Sequence, residues 1–288
     1  MREGESSRSL VDRLRSPERV VAVELRPPRT GLAAAQSMDV WIDMFHVIQR
    51  LTRQGTIVFL TDNAVGQAEE ENLAHLTANL GDDVDRRAIV PFLTCKHTME
   101  YCRMYATRAA SYGFDALTVL GGDKTVGAPR CVPHAHQLRS IIRQTLPMLS
   151  LGGWVNPQAD AQTQVDYLTR GDFTADFFLT QVVSHHNLQG VERFLDEARR
   201  RDVALPGVFG TFLYRSANPR TLEMLSQFFP VPAEGISREF ASGVPAEEIC
   251  ARTIKALWDL GVSNVYVSNL GYRGADARYR QILTALAS

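Results

Sequence analysis

Lysine is almost missing from this chain: Lys96, Lys124 and Lys255 are the only three, and arginine supplies the rest of the 31 basic residues. A barrel lyase or aldolase working through a Schiff base would have to use one of them. An excess of charge is also absent. The 31 basic residues face 32 acidic ones for a net charge of -1, which leaves no global field for nucleic acid or an anionic membrane and points to a small-molecule partner. No apolar run approaches the roughly 20 residues of a membrane span, and the opening MREGESSRSLVDRLRS is polar rather than signal-like, so a cytoplasmic location is expected. Four cysteines, Cys95, Cys102, Cys131 and Cys250, show no framework spacing and read as reduced thiols. Cys131, His134 and His136 cluster without a fourth ligand at zinc spacing, so no metal is expected there. The adjacent His185 and His186 read as solvated loop residues, and Gly121, Gly122 and Gly127 form neither a dinucleotide fingerprint nor a P-loop. Neither a linker nor a repeat divides the chain, so one domain over 1–288 is expected, and a homo-oligomer is compatible with it.

What is present is a regular alternation. Eight apolar, β-prone runs read as strands: Val20 to Glu24, Ile57 to Leu60, Ala88 to Leu93, Ala116 to Leu120, Met148 to Gly153, Phe177 to Gln181, Gly207 to Thr211 and Val265 to Ser268. Between the first two, Met38, Trp41, Ile42, Phe45, Ile48 and Leu51 recur at helical spacing and predict one apolar stripe against a sheet. Thr98 caps a helix that runs to about Tyr112 with Gly113 as its stop, Asn187 opens another, and Asn218-Pro219 is a cap and first-turn pair. From Phe229 to Pro245 the rhythm breaks, which predicts an extra helical segment before the last long helix, Ala246 to Leu260. With 288 residues, close to the about 250 of an α/β barrel, the expected fold is a single (β/α)8 TIM barrel with a short extra helical segment before the last strand.

Three of the runs, VVAVE, ALTVLGGD and DFFLTQ, end on Glu24, Asp123 and Gln181. In a parallel barrel the carboxyl ends share one mouth, where the chemistry of such barrels lies. Glu24 sits among Val21, Val23 and Leu25, so a carboxyl with a raised pKa, suited to general acid work, is expected; pairing with Arg26 or Arg29 is the alternative. Asp123 follows the Gly121-Gly122 turn and is either a fixed negative charge or a plain turn residue. Gln181 offers one acceptor and two donors, to a ligand edge or to a neighbouring loop.

The motifs VELRPPRT (23 to 30), PFLTCK (91 to 96), VLGGD (119 to 123), FFLTQ (177 to 181) and LPGVFG (205 to 210) resemble, in order, those of the methylenetetrahydrofolate reductase family. That resemblance implies an α/β barrel that reduces 5,10-methylenetetrahydrofolate to the 5-methyl form, with Glu24 as acid, Asp123 stabilising the methylene iminium and Gln181 on the pterin. Phe212 or Tyr214 takes the place of the family's Phe after the seventh strand, and Arg273, with Arg215 and Arg220, is assigned to the folate glutamate tail from charge. Thr61, Trp154, Gly121 and Gly122 are the expected nucleotide contacts. The residues that most members use on FAD are replaced here by Gly121, Phe92, Trp154, about Asn156, Asp166 and Thr169 with Arg170. Those replacements remove donors and positive charge and put FAD in doubt. The expected activity is therefore NADH- or NADPH-dependent reduction by direct hydride transfer. The alternatives are an ordinary FAD-dependent reductase and a non-catalytic barrel that binds folate.

Overall fold

The computed structural model describes residues 8–62, 71–81, 84–123 and 127–288. Lys124, one of the three Schiff-base candidates, lies outside them. The eight expected strands form, as β1 (Val20–Leu25), β2 (Val58–Leu60), β3 (Ile89–Thr94), β4 (Ala116–Leu120), β5 (Ser150–Val155), β6 (Phe177–Val183), β7 (Gly207–Phe212) and β8 (Asn264–Ser268). They pair in sequence order, all parallel, and β8 returns to β1 to close the barrel, with Val20 beside Asn264 and Val23 beside Val267. The fifth strand starts later than the apolar run suggests, and Met148 lies 91% exposed before it.

The helices are α1 (Leu10–Arg15), α2 (Ala34–Arg53), α3 (Asn72–Asn79), α4 (Met99–Ser111), α5 (Ala135–Thr145), α6 (Ala161–Thr169), α7 (Gln189–Arg200), α8 (Pro219–Ser226), α9 (Ala233–Ala241), α10 (Ala246–Asp259) and α11 (Ala275–Ala287). Local chemistry accounts for several of the ends. The Thr98 hydroxyl accepts from the Tyr101 amide at the start of α4, Asn218 does the same for Thr221 at the start of α8 with Pro219 in the first turn, and Gly113 stops α4 with φ of 85°. α9 is the expected extra segment. Two expectations shift: α7 begins at Gln189 rather than at Asn187, and α10 is not the last long helix, because α11 follows β8.

Alternation along the strands separates two apolar layers. Val23, Leu25, Leu60, Leu93, Leu117, Leu151 and Val267 point outward, where Trp41, Met44, Ile48 and Leu51 of α2 and their counterparts on other helices cover them. Ala22, Phe59, Val90, Phe92, Phe177, Leu179, Val208 and Tyr266 fill the barrel. Leu10 and Leu14 of α1 close its amino-terminal end, held there by Asn264 Nδ2 donating to the Leu14 carbonyl at 2.9 Å.

Two glycines make the interior possible. A Cβ at Gly152 would stand 2.6 Å from the Phe177 ring, and one at Gly210 would stand 2.5 Å from the Tyr266 hydroxyl. Tyr266 can therefore cross from β8 over β7 and donate to the Thr180 carbonyl of β6 at 2.7 Å. Overpacking of this kind costs typically 1–3 kcal/mol. Gly210→Ala should lower the unfolding free energy by about that much, read from the urea midpoint; an unchanged midpoint would show that the interior can yield there.

Candidate functional site

Glu24 shares the inward side of β1 with Ala22 and lies one residue short of the strand's carboxyl end. Register places it beside Ser268, whose hydroxyl donates to Glu24 Oε1 at 2.6 Å. Burial pushes the carboxyl's pKa up, while the Ser268 hydrogen bond and the charge of Arg26 act in the opposite direction. Tyr266, fully buried below it, has its phenol pushed well up by burial and by the nearby Glu24 charge. The carboxyl thus stands on an aromatic floor of Tyr266, Phe59 and Phe92, whose neighbouring rings lie 6.0 and 6.1 Å apart. That surrounding favours the protonated carboxyl over the ionised one.

Gln181 lies at a bulge in β6. Leu179 pairs with Val208 and Val182 with Gly210, so three steps on β6 face two on β7. Thr180 occupies the irregularity, its hydroxyl accepting from the Gly210 amide at 3.0 Å. The Gln181 amide is half-buried; its Nε2 donates to the Phe228 carbonyl at 3.3 Å and its Oε1 accepts from the Val182 amide. It bridges β6 to the segment between α8 and α9, the loop-linking role that the residue type allows. Asp123 is exposed beyond the Gly122 turn, which has φ of 73°. All three candidates stand at the carboxyl end of the strands, two on strands and one on a loop.

The other candidates divide. Trp154 and Phe212 pack half-buried at the edge of the barrel interior, and Phe212 lies 5.1 Å from the Phe229 ring. Thr61 is buried at the end of β2, where Asn72 of α3 donates to its carbonyl at 2.9 Å. Tyr214 is enclosed with Leu222, Ile236 and Ile249 in a cluster under α8, α9 and α10, and burial pushes its phenol up. Arg273 reaches outward to Asp43 of α2, at 3.2 Å, and is largely exposed. Gly121 lies under the Arg130 guanidinium, so near that a Cβ would stand 2.8 Å from its central carbon, and Arg130 also donates to the Gly122 carbonyl.

At the same end one group escaped the sequence reading, and a second, weighed there as able to line the mouth but read as solvated, has a partner of its own. Asp62, directly after β2, accepts from the Thr94 amide at 2.7 Å and its hydroxyl at 3.1 Å, and faces His97 Nε2 at 2.8 Å. The signal was the one that marked Glu24: a polar residue where an apolar run gives out. His185, expected in solvent, is instead half-buried, while His186 stays exposed as expected, and both rings face Glu239 of α9. Cys131, His134 and His136 serve separate local contacts, His134 capping α5 through its amide to Gln137 and His136 lying 3.4 Å from Asp172. The cysteines are free, three of them buried. A cleft of about 460 Å3 also opens among Arg13, Arg19, Arg53 and Tyr279, at the amino ends of β1 and β2, the face that carries stability rather than chemistry in these barrels.

The positions that the family resemblance assigns to a flavin are already committed within the protein. Arg201 ties Asp166 to α7 and donates to Thr169 Oγ1 at 2.9 Å, and Arg170 is engaged with Asp172 at 2.9 and 3.0 Å. Phe92 is buried in the interior. No described helix is long and apolar enough to cross a membrane.

No protein-family model and no curated protein matches the chain. Among solved structures, the barrel is similar to that of an uncharacterized protein from Clostridium thermocellum that binds two copies of 5-methyl-5,6,7,8-tetrahydrofolic acid. The two superpose with a TM-score of 0.63 over 94% of this chain and 95% of that one, at 14% sequence identity. A likeness at that identity establishes the (β/α)8 fold of this chain, and fold alone does not fix a chemistry.

Proposed function

We propose that the chain binds a reduced folate at the carboxyl end of the barrel and reduces its 5,10-methylene bridge to a 5-methyl group with hydride taken directly from NADH or NADPH. The observation that carries this reading is Glu24, an inward carboxyl pushed toward its protonated form by burial and held by Ser268. The binding of 5-methyltetrahydrofolate by the Clostridium thermocellum protein, on a barrel of the same fold, supports the ligand class. In the reaction, Glu24 gives its proton to the leaving nitrogen as the five-membered ring opens, and a methylene iminium forms on the other nitrogen. Hydride from the nicotinamide then closes the electron count, leaving the oxidised nucleotide and the methyl product; Glu24 regains its proton from water. Asp123 supplies negative charge toward the iminium, and Gln181 meets the pterin once its 3.3 Å bond to Phe228 is exchanged for the ligand. Trp154 and Phe212 offer the flat faces against which two rings stack.

A flavin fits these residues poorly. Its pyrophosphate would need donors at Asp166, Thr169 and Arg170, which hold ion pairs and hydrogen bonds of their own, and no step is routed through it. A folate-binding barrel without turnover is the second reading, favoured by the Clostridium thermocellum protein, which binds the folate. Folate retained at equilibrium with no oxidation of either nucleotide would decide for it.

Glu24→Gln keeps shape and hydrogen bonding but loses the proton, so turnover should fall by about 10²-fold or more while folate still binds. In the wild type, kcat/KM should decline as pH rises through the elevated Glu24 pKa, and the variant should lose that limb. Stability follows the same sign. With a folded pKa above the unfolded one, the contribution of Glu24 is fully present below its ordinary value and is lost as pH rises through the folded value. Glu24→Gln should therefore unfold at higher denaturant than the wild type at neutral pH, and the gap should shrink in acid. An unshifted pH profile, or near wild-type turnover, would remove Glu24 as the acid.

Direct transfer requires both substrates in the mouth together, with reacting carbons about 3–3.5 Å apart. Initial-rate plots should intersect, the purified protein should lack flavin absorbance, and deuterium from the nicotinamide should appear in the product methyl group. Parallel lines, or bound FAD at one equivalent, would place the protein with the flavin enzymes.

A further inference from the structure

Chain neighbours in a loop usually turn their side chains apart, yet His185 and His186 turn theirs together. The two imidazoles, in the loop after β6, lie 4.0 Å apart between ring centres and converge on one carboxylate. His185 Nε2 stands 3.3 Å from Glu239 Oε1, and His186 Nε2 stands 2.9 Å from Glu239 Oε2. All three ligand atoms fall within 4.8 Å of one another.

The surrounding contacts fix the direction of the nitrogens. His185 Nδ1 lies 2.8 Å from Thr253 Oγ1 of α10, and that hydroxyl stands 3.4 Å from the Ile249 carbonyl one turn back. In the tautomer that carries its proton on Nδ1 and donates to the hydroxyl, Nε2 presents a lone pair to an oxygen of Glu239. Two acceptors face each other, an arrangement relieved by a cation between them. His186 is set by a different constraint: its ring lies on Gly235 of α9, where a Cβ would stand 2.6 Å away.

We propose that His185, His186 and Glu239 form a binding site for a divalent transition-metal ion of the zinc class. Bonds of about 2.0–2.1 Å to tetrahedral ligands separate those ligands by roughly 3.4 Å, close to the two contacts observed here. Imidazole and carboxylate together suit zinc or cobalt rather than calcium or magnesium, and the Thr253 contact is the outer partner that commonly orients a metal-bound histidine. Arg252 also donates to Glu239 Oε1, at 2.9 Å, and to Glu248. When the ion takes Glu239, Arg252 keeps Glu248 as its partner. The ion would fasten the loop that follows Gln181 to α9, and so fix the rim of the barrel mouth. This site stands apart from Glu24, and it holds whether or not the folate reading does.

The test is titration of tag-free, chelator-treated full-length protein with cobalt(II), followed by displacement with zinc. One saturable equivalent with visible d–d bands is expected, together with a higher melting temperature, and magnesium and calcium should not compete. Glu239→Gln and His185→Ala, each checked by circular dichroism, should weaken binding at least about 10-fold, while His46→Gln on the exposed side of α2 should not. Absence of saturable binding by the wild type would overturn the site. So would binding by the two variants as tight as that of the wild type, which would place the ion on the cysteines or on scattered surface groups.

Discussion

The hydrogen bond from Tyr266 to the Thr180 carbonyl is the contact on which the rest of the candidate site depends. It crosses β7 at a point where no side chain can stand, and so requires glycine at 210. The same bond engages the carbonyl at the β6 bulge, where Thr180 fills the irregularity and Gln181 is turned toward the loop before α9. Above the phenol stands Glu24. A buried phenol beneath a carboxyl offers neither water nor a counter-charge, so the ionised form of Glu24 loses solvation that Ser268 and Arg26 only partly offset. Tyr266 thus bonds to β6 at its bulge and packs beneath the carboxyl of β1.

Around that floor, polar groups fall into two kinds. Some are turned to the mouth or its edge: Glu24, Asp62 with His97, and Asp123 on its exposed turn. Others stand at positions that the family resemblance assigns to a flavin or a nucleotide, and they are engaged with the scaffold. Arg201 ties α6 to α7 through Asp166 and Thr169, and Arg130 lies across Gly121 and Gly122. A guanidinium engaged in this way has fewer of its five N–H groups left for a phosphate. The carboxyl with the raised pKa thus lies at a strand end, while ion pairs on the flanks hold helices together.

The segment from α8 to α10 is the most individual part of the barrel. Tyr214, Leu222, Ile236 and Ile249 give it an apolar centre of its own, separate from the two main layers. It approaches the mouth at three places, through Phe229 on Phe212, through the Phe228 carbonyl on Gln181 and through Glu239 on the paired histidines. An excursion built in this way can stiffen one side of the rim without altering the strands.

Much of this was legible in the residues. Continuous apolar, β-prone runs separated by helical stripes specify strands and helices locally, because a strand buried on both faces and a helix buried on one leave different patterns of apolar residues. Eight such runs leave a closed parallel barrel as the consistent arrangement. Thr98, Gly113 and Asn218-Pro219 marked helix ends because their chemistry acts within one turn. Glu24, Asp123 and Gln181 were visible as polar residues at run ends, and the barrel carries them all to one face. What the chain order could not express is which partner each group meets across long sequence separations. Ser268 meets Glu24 from 244 residues away, and Arg201 takes Asp166 from 35. Glu239 meets two histidines from more than 50 residues earlier, and the β6 bulge is bonded by Tyr266, far along the chain. Local propensity determines elements and their ends; the partners of a charge, and hence whether it is free to act on a ligand, are decided only when closure of the barrel brings distant strands and loops into contact.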